Sequence, residues 1–488
     1  MISPRISPRP GRTSCRAASS ALALAAAWVA VWLAAGTARV EAQAQEVPGL
    51  RGTMPVQQAD DAAPDALPAR EAETPVPAPA PLREPLDVRA LRASPDNQRV
   101  GAVEGQSRAA EDAPFAALGI RAGTFVLRPS LEQGIGWTSN AAGAPGSGAS
   151  TFSETALRLD AQSDWSRHRA AFTLDGSYRR SLSGERIDEL TGAATGRIDF
   201  DLAHELSAFV AAGYRAAPES ASTPGTVLGA VDRPLRQTLD ASTGVAKNAG
   251  PLRFALTGAL SRELYDDATL SDGTVVAQDE RDSTLATATL RAGYAVSPAL
   301  APFVEAEIGR RVYDLDLDSS GYARSADRYG LRGGVEIDLG EKLNGEIAAG
   351  WLTERSDDPR LADVSGLSLS GNLAWSPVRG TTVALAAATA VEGATAPGDS
   401  GSLLYSGSLS VQRELRANLT GRASAGLDWR DYSGGGNDLV LRGEASLTWW
   451  MNRYAGITAR ASHEVQNSSL PGRDWDATGM WLGMTFQR

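Results

Sequence analysis

The sequence predicts an all-β fold: a transmembrane, antiparallel, up-and-down β-barrel of about 18 strands behind a disordered N-terminal tether. Three observations point there. From Phe125 to the C-terminus, apolar and polar residues alternate with a period of two; the connections alternate between short and long; and the apolar parity is rich in Gly and Ala. The stretch RYGLRGGVEIDLG, Arg328 to Gly340, carries Tyr329, Leu331, Val335, Ile337 and Leu339 on one parity, and Arg328, Arg332, Glu336 and Asp338 on the other. In a soluble sandwich the apolar side would face a core, and in a barrel it would face lipid.

The elements follow in chain order. Residues 1–44 read as a secretory signal peptide: Arg5, Arg9, Arg12 and Arg16, then the apolar run AASSALALAAAWVAVWLAAG, then Ala42-Gln43-Ala44 as a small-x-small cleavage site. The single cysteine, Cys15, lies in this leader, so the mature chain has no disulfide and must gain its stability from burial or from closure of a sheet. No later apolar run approaches the ~20 residues of a membrane helix, so any crossing is made by strands. The net charge of −11 makes an exported nucleic-acid binder a poor reading, and that class is dropped.

Residues 45–117 are rich in Pro, Ala, Asp, Glu and Arg, with no aromatic residue until Phe115. Such a segment buries too little apolar surface to offset its ordering entropy, and is expected as a disordered periplasmic spacer. Residues 118–488 form the expected barrel. Short turns (SRHR, AHEL, KNAGP, SPAL, GEK, SPVRG, QRELR, WMNRY) alternate with long polar loops such as PESASTPGTVLGAVD and YDDATLSDGTVVAQDERD. Short periplasmic turns and long external loops are the pattern of outer-membrane barrels, and an even strand count puts both termini on the periplasmic side.

One parity is apolar or small throughout, with Phe172, Leu174 and Tyr178; Ile198 and Phe200; Phe254 and Leu256; Leu367, Leu369 and Trp375; Leu427 and Trp429; Leu441 and Trp449. Its many Gly and Ala would leave voids in a sandwich core, whereas lipid fills around them. The apolar side is therefore expected to face outward. Trp137, Trp165, Trp375, Trp429, Trp449 and Trp450 lie close to the ends of runs, where aromatic girdles meet headgroups.

The first strand, FVLRPSLEQGIGWTSN, resembles the opening strand of the putative β-barrel porin 2 family through Arg128, Pro129, Ser130, Leu131, Glu132, Gly136, Trp137 and Asn140; PFVEAEIGRRVYD and the ending WDATGMWLGMTFQR look similar too. Phe486 is followed by Gln487 and Arg488, a departure from barrels that end on an aromatic residue. The resemblance implies an outer-membrane channel, and brings no catalytic or binding residue. Some relatives are thought to serve polysaccharide export, so a polysaccharide exit port working with a periplasmic component is the alternative. The other expected partners are outer-membrane lipid, lipopolysaccharide and the barrel-assembly machinery.

The charge constellation on the lumen parity is the candidate site. Arg158, Arg197, Arg422, Arg442 and Arg460 sit near mid-strand and would form a basic belt; Glu305, Glu307, Glu336 and Asp338, with Glu346, would gather below it, and Arg332 shares their face. Rings of charge select by sign, while a salt-bridged wall does not, and both readings stay open. GDSGS at Gly398 to Ser402 resembles a serine-protease segment, but only His463 could approach Ser400, and a Gly-rich loop is the better reading. DLDLDSSG at Asp314 to Gly321 has Ser319 and Ser325 where a calcium loop needs Gly and Glu. No enzyme activity, cofactor or metal is expected, and a purely structural barrel is the remaining class.

Overall fold

A computed structural model of the chain describes residues 115–488, except 203, 221–222, 224–229, 271 and 394–397. The expected signal peptide of residues 1–44, and the expected 45–117 spacer up to Phe115, lie outside the described residues.

Eighteen long antiparallel strands form the barrel: β1 (Phe125–Thr138), β2 (Ser150–Ser163), β3 (Arg169–Gly184), β4 (Asp188–Asp201), β5 (Leu206–Pro218), β6 (Leu235–Ala249), β7 (Leu252–Tyr265), β8 (Ser283–Tyr294), β9 (Leu300–Tyr313), β10 (Ala326–Asp338), β11 (Leu343–Ser356), β12 (Val364–Trp375), β13 (Thr381–Glu392), β14 (Ser402–Arg416), β15 (Leu419–Tyr432), β16 (Asn437–Asn452), β17 (Ala455–Ser468) and β18 (Trp475–Gln487). Each pairs with its sequence neighbours, and β1 pairs with β18 from Ser130↔Gln487 to Thr138↔Gly479, which closes the sheet. Closure satisfies both edges, the condition for spanning hydrocarbon with strands. Ile120–Ala122 folds back along the start of β1, and a small three-stranded sheet sits in the loops between β5 and β8.

The rims differ as expected. One carries the turns 164–168, 202–205, 250–251, 295–299, 339–342, 376–380, 417–418 and 453–454, together with both ends of the barrel chain. The other carries the long connections, up to residues 266–282. Two details differ from the sequence reading. QRELR belongs to the end of β14, with the turn at 417–418, because pairing with β15 runs on to Arg416↔Leu419 across a register shift after Glu414; and the long-loop rim holds two short connections, 185–187 between β3 and β4 and 433–436 between β15 and β16, the latter expected as a long loop from YSGGGND.

The faces of the wall follow parity. Leu331 is 60% exposed and its cross-strand partner Trp351 57%, whereas Arg328 and Glu305 are buried on the other side. The apolar face of Arg328 to Gly340 thus points out, and the charged face lines the interior. Trp137 and Trp429 on one rim, and Trp375 and Trp449 on the other, are exposed near strand ends; Trp475 and Trp481 are buried.

Candidate functional site: a charge-paired lumen

Strand parity alone puts arginine and carboxylate side chains inside, and the register decides who meets whom. On the β7–β11 wall they form a ladder. Arg291 of β8 stands opposite Glu305 of β9, which stands opposite Arg332 of β10. Arg291 donates from Nε to Glu305 at 2.7 Å and from Nη1 to Glu346 at 2.7 Å. Arg332 lies between Glu305 (3.3 Å) and Glu307 (3.1 Å). Arg328 continues from Glu307 (2.8 Å) towards Glu354 (3.6 Å), and Arg311 donates to Glu354 at 2.6 Å. Nearer the short-turn rim, Arg253 meets Glu336 at 2.9 Å.

A small-residue frame gives the ladder room. Phe303, beneath the Arg291 guanidinium at 3.9 Å, has Gly293 and Gly334 as its two cross-strand neighbours. A Cβ on Gly334 would fall 2.5 Å from both the Phe303 ring and the Ile347 carbonyl oxygen, so only glycine fits there.

The opposite wall leaves space. A cavity of about 690 Å³ lies against β1–β3, β5 and β13–β18, and its lining includes Arg442, Arg460, Glu154, Asp428 and Glu444. Arg460 reaches Glu132 at 3.0 Å and Glu154 at 3.3 Å, and its guanidinium lies 4.7 Å from the Trp481 ring. Arg442 bridges Asp428 (2.5 Å) and Glu464 (2.9 Å).

The expected site residues therefore divide. Arg442 and Arg460 line the cavity. Arg158, paired with Asp175 at 3.4 Å, and Arg197, paired with Asp199 at 2.7 Å, are set into the wall, the latter 4.0 Å from the Phe209 ring. Arg422 lies near the short-turn end of β15 and is also partnered. Glu305, Glu307, Arg332 and Glu336 belong to the ladder, and Asp338 ends β10, its carboxylate accepting the Gly340 N–H. Arg291, Arg311 and Glu354 were missed: Arg311 and Glu354 share the parity of Glu305 and Glu346 on their own strands, whereas Arg291 lies on β8, where no residue was named, and only its pairing with Glu305 brings it into the ladder.

The long-loop rim is also held by ion pairs. Buried Arg281 grips buried Glu219 and lies 3.9 Å from the Tyr265 ring. Asp318 accepts the backbone N–H groups of Ser320, Tyr322 and Gly398 and faces Arg324 at 3.6 Å. Burial alone would raise the Asp318 carboxyl, but these donors outweigh it and hold it below its ordinary value. Ser400 Oγ accepts the Ala362 N–H at 2.8 Å, while the His463 ring contacts Thr478 at 3.0 Å, so each is engaged elsewhere. Among the described residues no cluster of three metal-ligating side chains occurs.

A closed sheet with a lipid-facing exterior and a charged interior defines an outer-membrane transport barrel. Residues 113–488 match the family model described as putative beta-barrel porin 2, and the chain belongs to that family. No curated protein matches the sequence. Among solved structures, the chain is similar to the siderophore receptor PiuA from Acinetobacter baumannii (8% identity, TM-score 0.39, covering 76% of this chain and 82% of that one). It is also similar to OccAB4 from Acinetobacter baumannii (12%, 0.37, 74% and 98%) and to the outer membrane protein opdK from Pseudomonas aeruginosa (9%, 0.35, 74% and 99%). At these scores the likenesses carry no argument about solute.

Proposed function

We propose that this barrel is a passive channel for small polar or charged solutes, oriented with its short turns and both termini in the periplasm. The observation that carries the reading is the 690 Å³ cavity bordered by charged side chains, inside a closed sheet whose outer face is apolar. Five arginines (Arg179, Arg215, Arg233, Arg442, Arg460) and four carboxylates (Glu154, Asp428, Glu444, Glu464) line it, so its local charge is close to balanced and slightly positive, unlike the chain as a whole. Charges confined in a lumen act on an ion more strongly than loop charges screened by bulk salt over ~8 Å.

Reconstitution of the full-length protein in planar bilayers tests this. Stepwise conductance with weak anion preference is the expected result. A barrel that inserts yet never conducts would be a structural one, and the channel reading would fall.

A further inference from the structure

Among the described residues, the shortest strand pairing in the barrel wall marks a weak seam. β12 and β13 pair only from Ser370↔Ala388 to Trp375↔Val383, six residue pairs, against nine at the closing β1–β18 junction. Towards the long-loop rim the two strands part. The upper end of β13 leans into the lumen, where the Val391 carbonyl accepts a hydrogen bond from Arg311 of β9 at 3.1 Å.

Two side chains stand in for the missing ladder. The Leu369 N–H donates to Thr389 Oγ1 at 2.9 Å, and the Tyr405 hydroxyl lies against the backbone at Gly366, where a Cβ would fall 2.9 Å from it. Alternate residues of an antiparallel strand present their N–H groups to the same neighbour, so the amides of Leu369 and Leu367 are those β13 would otherwise have paired. A backbone group left open in hydrocarbon costs several kcal/mol, and here rotatable hydroxyls meet that need. A side chain can swing away without unzipping a strand.

Where the strands part, the lumen changes character. Leu352 and Val364, on the lumen face of β11 and β12, pack with Val391 and Leu403 in an apolar cluster, and Tyr405 packs against it. Tyr405 in turn stacks on lipid-facing Trp429, with ring centroids 5.3 Å apart. Leu367 is at lipid depth, in a cross-strand row with exposed Trp351 and Leu331. An apolar path thus runs from a lumen face that is charged elsewhere to the bilayer, through the shortest strand pairing among the described residues of the wall.

We propose that the β12–β13 seam is a lateral portal that admits an acyl chain between lumen and bilayer, with Thr389 and Tyr405 as its latches. The molecule served is amphipathic, its polar head kept in the charged lumen while its chain passes the Leu352–Leu403 cluster. The proposal rests on the transport reading above and narrows its solute class.

The test uses the full-length protein in vesicles containing a phospholipid with a diazirine in its acyl chain, followed by photolysis and mass mapping of adducts. Leu352 is the diagnostic position, being 2% exposed and inside the wall, and Trp351 beside it is the lipid-facing control. Adducts on both are expected, with severalfold more on Leu352 in the Thr389→Val/Tyr405→Phe variant. A Cβ at Gly366 would lie 2.6 Å from the Leu403 side chain, so a short thiol crosslink in Gly366→Cys/Leu403→Cys should lock the seam and remove the Leu352 adduct alone. Labelling of Trp351 without Leu352, in both wild type and the latch variant, would overturn the portal. Bilayer conductance of the same samples separates the two readings: a conducting barrel never labelled at Leu352 refutes the portal and spares the channel, and labelling without conductance does the reverse.

Discussion

Removing Arg291 is the sharpest test of the lumen ladder. The side chain is 4% exposed and holds Glu305, itself 2% exposed, together with Glu346. Arg291→Met keeps most of the volume over Phe303 but deletes the charge. Glu346 then loses both of its hydrogen bonds, at 2.7 and 3.1 Å, while Glu305 keeps Arg332 at 3.3 Å. Breaking a buried pair from one side costs ~3–5 kcal/mol, because the abandoned charge stays desolvated. Since Glu305 retains a partner, the loss should fall at the lower end, about 3 kcal/mol. Urea unfolding from lipid vesicles, followed by tryptophan fluorescence, measures it. Adding Glu346→Gln removes the stranded charge and should recover part of the loss, a non-additivity expected for contacting residues. An Arg291→Met barrel as stable as the wild type would refute the view that these pairs are buried and mutually dependent.

The remaining predictions concern the outer face, the pore, the topology and the loops. Leu331→Arg should cost ~2–4 kcal/mol in vesicle unfolding and Leu331→Ala far less, since a charge is introduced at lipid depth; equal effects would contradict the outward assignment. Arg442→Gln with Arg460→Gln should shift the reversal potential under a salt gradient towards cation selectivity, because four carboxylates then face three arginines in the cavity; no shift would place the selecting charges elsewhere. A protease site within 266–282 should be cut on intact cells and one within 295–299 should not; the opposite pattern would invert the barrel. For Asp318 the folded-state pKa is lowered, so its contribution is fully present above the ordinary Asp value of about 3.9 and is lost as pH falls through the lower folded value. Asp318→Asn should therefore lower the melting temperature by a constant amount at neutral pH, and the gap to wild type should close only in strong acid.

What the sequence determined by itself is what each strand encodes locally. Leu331 and Arg332 announce opposite faces because successive side chains point to opposite sides of a sheet, and the small residues of VALAAATAV suit a surface that lipid fills. Loop lengths carried the strand count and the common rim of both ends. Tertiary structure alone decided partnership. Parity puts Arg291, Glu305 and Arg332 inside, but only register sets them side by side, and only closure brings Arg460 of β17 to Glu132 of β1. The basic belt and acidic cluster were legible as positions on a face, without their partners. In the barrel Arg158, Arg197, Arg442 and Arg460 each meet a carboxylate, the salt-bridged arrangement that the sequence left open beside a charge ring. The β12–β13 seam was invisible for the same reason: β13 alternates to its end like any other strand, and only the tertiary structure shows that it leaves β12 and that Arg311, eighty residues earlier, meets the Val391 carbonyl.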